Sequence, residues 1–159
     1  MKIPHKSSGF TIIELLVVLI VLFILASLIA FTYSGVQAKN RNAERKADID
    51  TIKGQLEAYY AQTNTYPTFA NLASNNWRST NLKRLKDDAI QDPSWKIANT
   101  ACKEKDQASF AVKATNECYS YQVTGTDGSA CDNKKNPCAH YTLVAMLEGG
   151  EKYTRSSLN

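Results

Sequence analysis

The chain is poor in the residues that enzymes and metal sites use. It has two histidines, His5 and His140, among 159 residues. No Ser/His/Asp or Cys/His set can be assembled around them, and no Gly-rich phosphate loop is present. An enzyme is therefore not expected, nor a cofactor. No proline lies between residues 10 and 63, so nothing there forces a helix to stop. All four cysteines, Cys102, Cys118, Cys131 and Cys138, lie in the second half, which excludes a lipid-modified cysteine near the N-terminus. Of the net charge of +4, Lys2 and Lys6 supply two. The remaining +2 is too mild to imply nucleic-acid binding by itself. Internal repeats and low-complexity tracts are absent.

What is there is one long apolar run. Residues 10–31 read FTIIELLVVLIVLFILASLIAF, with Glu14 as the single charge. As a helix the run is about 33 Å long, enough to cross a hydrocarbon core of about 30 Å. A carboxylate near one end costs on the order of 2–3 kcal/mol unless it meets a partner. The head MKIPHKSSG precedes the run and ends on Gly9. A cut between Gly9 and Phe10 would create an α-amine just ahead of Glu14, and the amine of one copy would neutralise Glu14 of the next. Two alternatives stay open: an ordinary signal peptide with Val36-Gln37-Ala38 as a weak small-residue site, and an uncut anchor. The mature N-terminus separates them as Phe10, Lys39 or Met1.

The stretch Ser8-Gly9-Phe10-Thr11-Ile12-Ile13-Glu14-Leu15, with the apolar run after it, resembles the processing site of type IV prepilins and pseudopilins. The resemblance implies a prepilin peptidase cutting after Gly9, N-methylation of Phe10, and Glu14 and Phe10 docking subunits. It implies a leader at 1–9, a transmembrane and filament-core half-helix at 10–31, an amphipathic half-helix at 32–62 and an extracytoplasmic head at 63–159. The expected function is that of a structural subunit in a type IV pilus filament, with twitching, adhesion or DNA uptake as its outlets. Its partners would be itself, the inner-membrane assembly platform and that platform's ATPase. One alternative is a pseudopilin of a type II secretion system. A second is a single-span membrane protein with a binding head that never polymerises. The precursor would sit in the cytoplasmic membrane and the mature form in an extracellular filament.

Flanking charge orients the span weakly, because Lys39, Arg41, Arg45 and Lys46 follow it. The head is placed outside because long domains translocate regardless of charge.

From 32 to 63 good helix formers continue, and Ile49, Ile52, Leu56 and Tyr59 recur at three- and four-residue steps, with Tyr60 beside them. One helix is expected over about 11–62, with Gly35 and Gly54 inside it. Many bacterial type IV pilins carry a proline in the membrane half; this chain has none there. Thr63-Asn64-Thr65-Tyr66-Pro67-Thr68 breaks the helix by turn chemistry and a proline. A short helix is expected over 81–90, capped from Ser79, Thr80 or Asn81 and stopped by Asp92-Pro93. Strands are expected at 109–113, 118–124 and 141–147, with a polar loop at 125–137. The fold class is α+β: a long helix, apolar then amphipathic, packed on a small antiparallel sheet, as in pilins.

An even cysteine count outside the cytoplasm reads as disulfides. Of three connectivities, Cys102–Cys118 with Cys131–Cys138 is favoured because each closes a local loop. Zinc on Cys131, Cys138 and His140 is the metal alternative, though the spacing is not that of a zinc site. The resemblance to major pseudopilins raises calcium on Asp127, Asp132 and Asn133, against a solvated turn. No metal is expected. Basic clusters at Lys83, Arg84 and Lys86, and at Lys134 and Lys135, read as solvated faces or as contacts for nucleic acid or an acidic surface.

Overall fold

The computed structural model describes residues 9–94 and 110–158, with the backbone alone at 30–34. The chain divides into two units, Met1–Ala38 and Lys39–Asn159.

Helix α1 covers Ile12–Thr63, 52 residues. The absence of proline and the supply of Ala, Leu, Lys, Gln and Glu let it run through Gly35 and Gly54 unbroken. In the first unit, Ile12–Ile29 has a mean hydropathy of 3.2 and no buried residue. It is the one helix among the described residues long and apolar enough to cross a membrane.

In the second unit the α1 stripe enters a core. Ile49, Ile52 and Leu56 are fully buried, with Tyr59 and Tyr60 packed at the margin. Burying each such aliphatic side chain is worth about 1.5–3 kcal/mol. Asn64 ends the helix in the left-handed region at φ 57°, a conformation Asn tolerates better than other residues with a side chain.

Two short helices follow, α2 at Phe69–Ala73 and α3 at Asn75–Asn81. Thr68 Oγ1 accepts from Asn71 N–H, and Ser74 Oγ accepts from Trp77 N–H. These hydroxyls are the N-caps. The helix expected over 81–90 does not form. α3 ends where that helix was to begin, and Ser79, Thr80 and Asn81 bond back to Asn76 and Trp77 carbonyls in its last turn. Leu82, Leu85 and Ile90 are nonetheless buried. A turn closed by Leu85 N–H on Leu82 O, then a 3-10 helix over Asp87–Ile90, places them there. Apolar residues three apart suit such a turn as well as an α-helix.

The sheet has four strands in sequence order: β1 Phe110–Ala111, β2 Tyr119–Thr124, β3 His140–Met146 and β4 Lys152–Ser156. It is mixed, which corrects the all-antiparallel expectation. β1 runs parallel to β2, with Phe110 opposite Tyr119. β2–β3 and β3–β4 are antiparallel, with Tyr121 opposite Leu143 and Leu143 opposite Arg155. The first strand is also shorter than 109–113, of which residue 109 lies outside the described residues. Tyr119, Tyr121, Tyr141, Leu143 and Ala145 join the α1 stripe in one core. β4 was not foreseen. It enters through a turn with Gly149 and Gly150 at positive φ, and its exposed and half-buried residues alternate as the outermost strand.

Candidate assembly site and the head around it

Gly9, Phe10 and Thr11 precede α1 in non-helical backbone, and Gly9 and Phe10 are exposed. Thr11 Oγ1 accepts from Glu14 N–H at 3.2 Å, so Thr11 caps the helix and Glu14 stands at its third position. The Thr-x-x-Glu spacing is the signal that would have found this cap from sequence. Among the described residues the Glu14 carboxylate has no partner. Phe10, Ile12, Ile13, Leu15 and Leu16 surround it and are all exposed. The site is one acid near the start of an apolar cylinder.

The head is the opposite case, with its polar groups tied down. Arg45 is buried. Its Nε and Nη2 donate to the two oxygens of Asp92 at 2.7 and 3.0 Å. Nη2 also reaches Ser94 Oγ and Asn116 O, and Nη1 reaches Asn42 Oδ1 and Glu148 Oε1. Burial alone would lower the Arg45 pKa, but Asp92 and Glu148 outweigh it and the pKa is raised. This knot was missed because its partners are 47 and 103 residues apart in sequence.

Beside the knot, burial raises the Asp48 carboxyl to about 6; a Tyr119 hydrogen bond at 2.7 Å opposes this, and Glu44, Asp92 and Asp88 add to it. Glu57 accepts from Tyr66 Oη at 2.9 Å and Tyr141 Oη at 2.7 Å. Asp50 accepts from Tyr153 and Arg155, linking α1 to β4.

Cys131 and Cys138 are joined by a disulfide. Cys118 is also disulfide-bonded; its expected partner, Cys102, lies outside the described residues. The bond between Cys131 and Cys138 removes the thiolates a zinc set would need, so the Cys131, Cys138 and His140 alternative falls. The calcium set does not converge either. Asp127 accepts from the backbone and hydroxyl of Ser129. Asp132 Oδ1 accepts N–H bonds from Lys134, Lys135 and Asn136, and these, that of Asn136 foremost, hold its pKa down to about 2. Asn133 Oδ1 is taken by Cys138 N–H. No group of three or more His, Cys, Asp or Glu side chains able to hold a metal occurs among the described residues. Lys83, Arg84, Lys86, Lys134 and Lys135 are all exposed.

The family defined by the prokaryotic N-terminal methylation motif matches residues 4–30. The type II secretion system core protein G of Aeromonas hydrophila is 36% identical over 64 residues, 40% of this chain and 45% of that protein. The protein of that name in Vibrio cholerae is 34% identical over 68 residues, 43% of this chain and 47% of its own length. That of Escherichia coli K12 is 31% identical over 68 residues, with the same coverage of 43% and 47%. The chain thus spans just under half the length of the curated relatives it matches. No solved structure matches it. The methylation motif, the membrane-length helix behind it and the mixed-sheet head fit a single-pass membrane precursor and support a type IV pilin-like family for the chain.

Proposed function

We propose that the chain is a pseudopilin-like structural subunit of a type II secretion apparatus. It is made as a membrane precursor, cut after Gly9 by prepilin peptidase, and methylated on Phe10. Polymerisation stacks the helix halves at 10–31, and the Phe10 amine of one copy neutralises Glu14 of its neighbour. The subunit is structural and not catalytic. Extraction from the membrane is the work of an assembly platform and its ATPase.

One observation supports this most. Ile12–Ile29 is wholly exposed and apolar but for Glu14 and Ser27, and the Glu14 carboxylate has no partner among the described residues. Lipid satisfies the first property and not the second; a bundle of identical helices satisfies both. The choice of secretion over a surface pilus follows the relatives, each of which is a type II secretion system core protein G.

The test is a deletion strain complemented with the full chain, scored for protein export, surface filaments and the mature N-terminus. Lost export with surface filaments unchanged, and methyl-Phe10 at the N-terminus, is the expected result. Lost surface filaments with normal export would assign the chain to a pilus. Met1 retained on dispersed single copies would overturn polymerisation altogether.

A further inference from the structure

The loop between β2 and β3 does more than connect them. Its ring, closed by Cys131 and Cys138, holds the residue on which the chain leaves α1. Tyr66 N–H donates to Cys138 O at 2.8 Å. Asn133 Nδ2 donates to Tyr66 O at 2.7 Å. Asn133 Oδ1 in turn accepts from Cys138 N–H at 2.7 Å. Both backbone polar groups of Tyr66 are therefore held by the ring, as a neighbouring strand would hold them.

The ring is itself stiff. Asp132 Oδ1 gathers three backbone N–H groups inside it. Asn133 sits in the left-handed region at φ 57°, which aims its amide at Tyr66. Asn136 braces the ring against Ser129 and Ala130. Gly125 is packed so closely on Asn136 that an added Cβ would lie 2.5 Å from its side chain.

Tyr66 is where the hold matters. It is fully buried, stacks on Tyr60 at 4.5 Å and meets Tyr141 edge-on at 4.7 Å. Its hydroxyl bonds Glu57 of α1. Next to it, Pro67 O accepts from Tyr121 Oη at 2.7 Å. One residue thus ties α1, the ring and β3 together.

We propose that the Cys131–Cys138 ring is a redox-set clasp on the exit of α1: closed, it fixes Tyr66 by both backbone groups; opened, it lets them go. Opening is thiol–disulfide exchange with a dithiol. A reagent thiolate attacks one cysteine sulfur, the S–S bond breaks, and the reagent's second thiol completes the exchange. Two electrons and two protons pass to Cys131 and Cys138, and the reagent leaves as a cyclic disulfide. The clasp lies within the head and holds for either filament.

The measurement is amide hydrogen exchange of Tyr66 by NMR, on the full chain in detergent micelles. In Cys131→Ser/Cys138→Ser, which leaves Cys118 untouched, Tyr66 should exchange about tenfold faster or more, while the β2–β3 ladder keeps its protection. Asn133→Asp keeps the disulfide, the left-handed backbone and the acceptor for Cys138, and removes the donor to Tyr66 O. It should speed Tyr66 exchange about threefold. Wild-type exchange at Tyr66 in the double variant overturns the clasp. If the double variant loses protection throughout the head, Asn133→Asp decides: faster exchange confined to Tyr66 and its neighbours supports the clasp, and an unchanged Tyr66 overturns it.

Discussion

The two halves of α1 obey the same helix chemistry and face opposite demands. In residues 12–29 no side chain is buried, and Glu14 meets no partner among the described residues. In residues 39–63 the stripe of Ile49, Ile52 and Leu56 is sealed, and even the cation Arg45 is buried with partners at each of its three nitrogens. The head completes itself within one chain. The apolar half is complete only in lipid or among copies. Stability and the proposed assembly are therefore separable properties, written in different stretches of one helix.

The sharpest way to break this contrast is Arg45→Met. It leaves Asp92 charged and buried without its partner, which should destabilise the head by about 3–5 kcal/mol. Thermal unfolding of the full chain in detergent would read this, and an unchanged midpoint would mean the knot is not structural. Glu14→Ala is the mirror experiment. It should weaken each subunit contact by on the order of 2–3 kcal/mol, the cost of an unpartnered carboxylate in lipid, and leave the head's unfolding midpoint where it was. Cross-linking of mature subunits, read beside the melting curve, checks both parts. A lower midpoint would show that the two stretches are not separable.

Smaller effects sharpen the picture. Ser74→Ala removes the α3 cap and should lower head stability by about 1 kcal/mol without affecting assembly. The weakest lever is acid. The Asp48 carboxyl titrates near 6 in the head against 3.8 as an ordinary side chain, chiefly through burial. The folded head therefore holds that proton more tightly than the unfolded chain does. Its contribution makes stability rise as pH falls between about 6 and 3.8. Asp48→Asn should flatten that rise in a series of melting curves across this range. A rise that persists in the variant would assign it to another group.

Much of this was legible in the residues because it is periodic. α1 declared itself by a proline-free run and a three-four stripe, and β3 by Tyr141, Leu143 and Ala145 at alternate positions. Glu14 stood out because its surroundings are uniform. β4 was hidden because Lys152 and Arg155 break its apolar alternation, although Gly149-Gly150 after a strong strand was a hairpin signal. The 81–90 region misled because burial at three-residue steps suits a tight turn too. The Arg45 knot and the hold on Tyr66 could not be read at all. They join residues far apart in sequence, and hydrogen-bond geometry has no local pattern.

The outermost strand carries a last consequence. Any protein crowded against its own copies risks fusing edge to edge through unpaired backbone, the route that ends in amyloid. β4 guards that route with Lys152 and Arg155 on a strand of five residues. In the filament subunit proposed above, this edge is thus closed to the disordered kind of growth, and the greasy N-terminal segment is left as the means of sticking to itself.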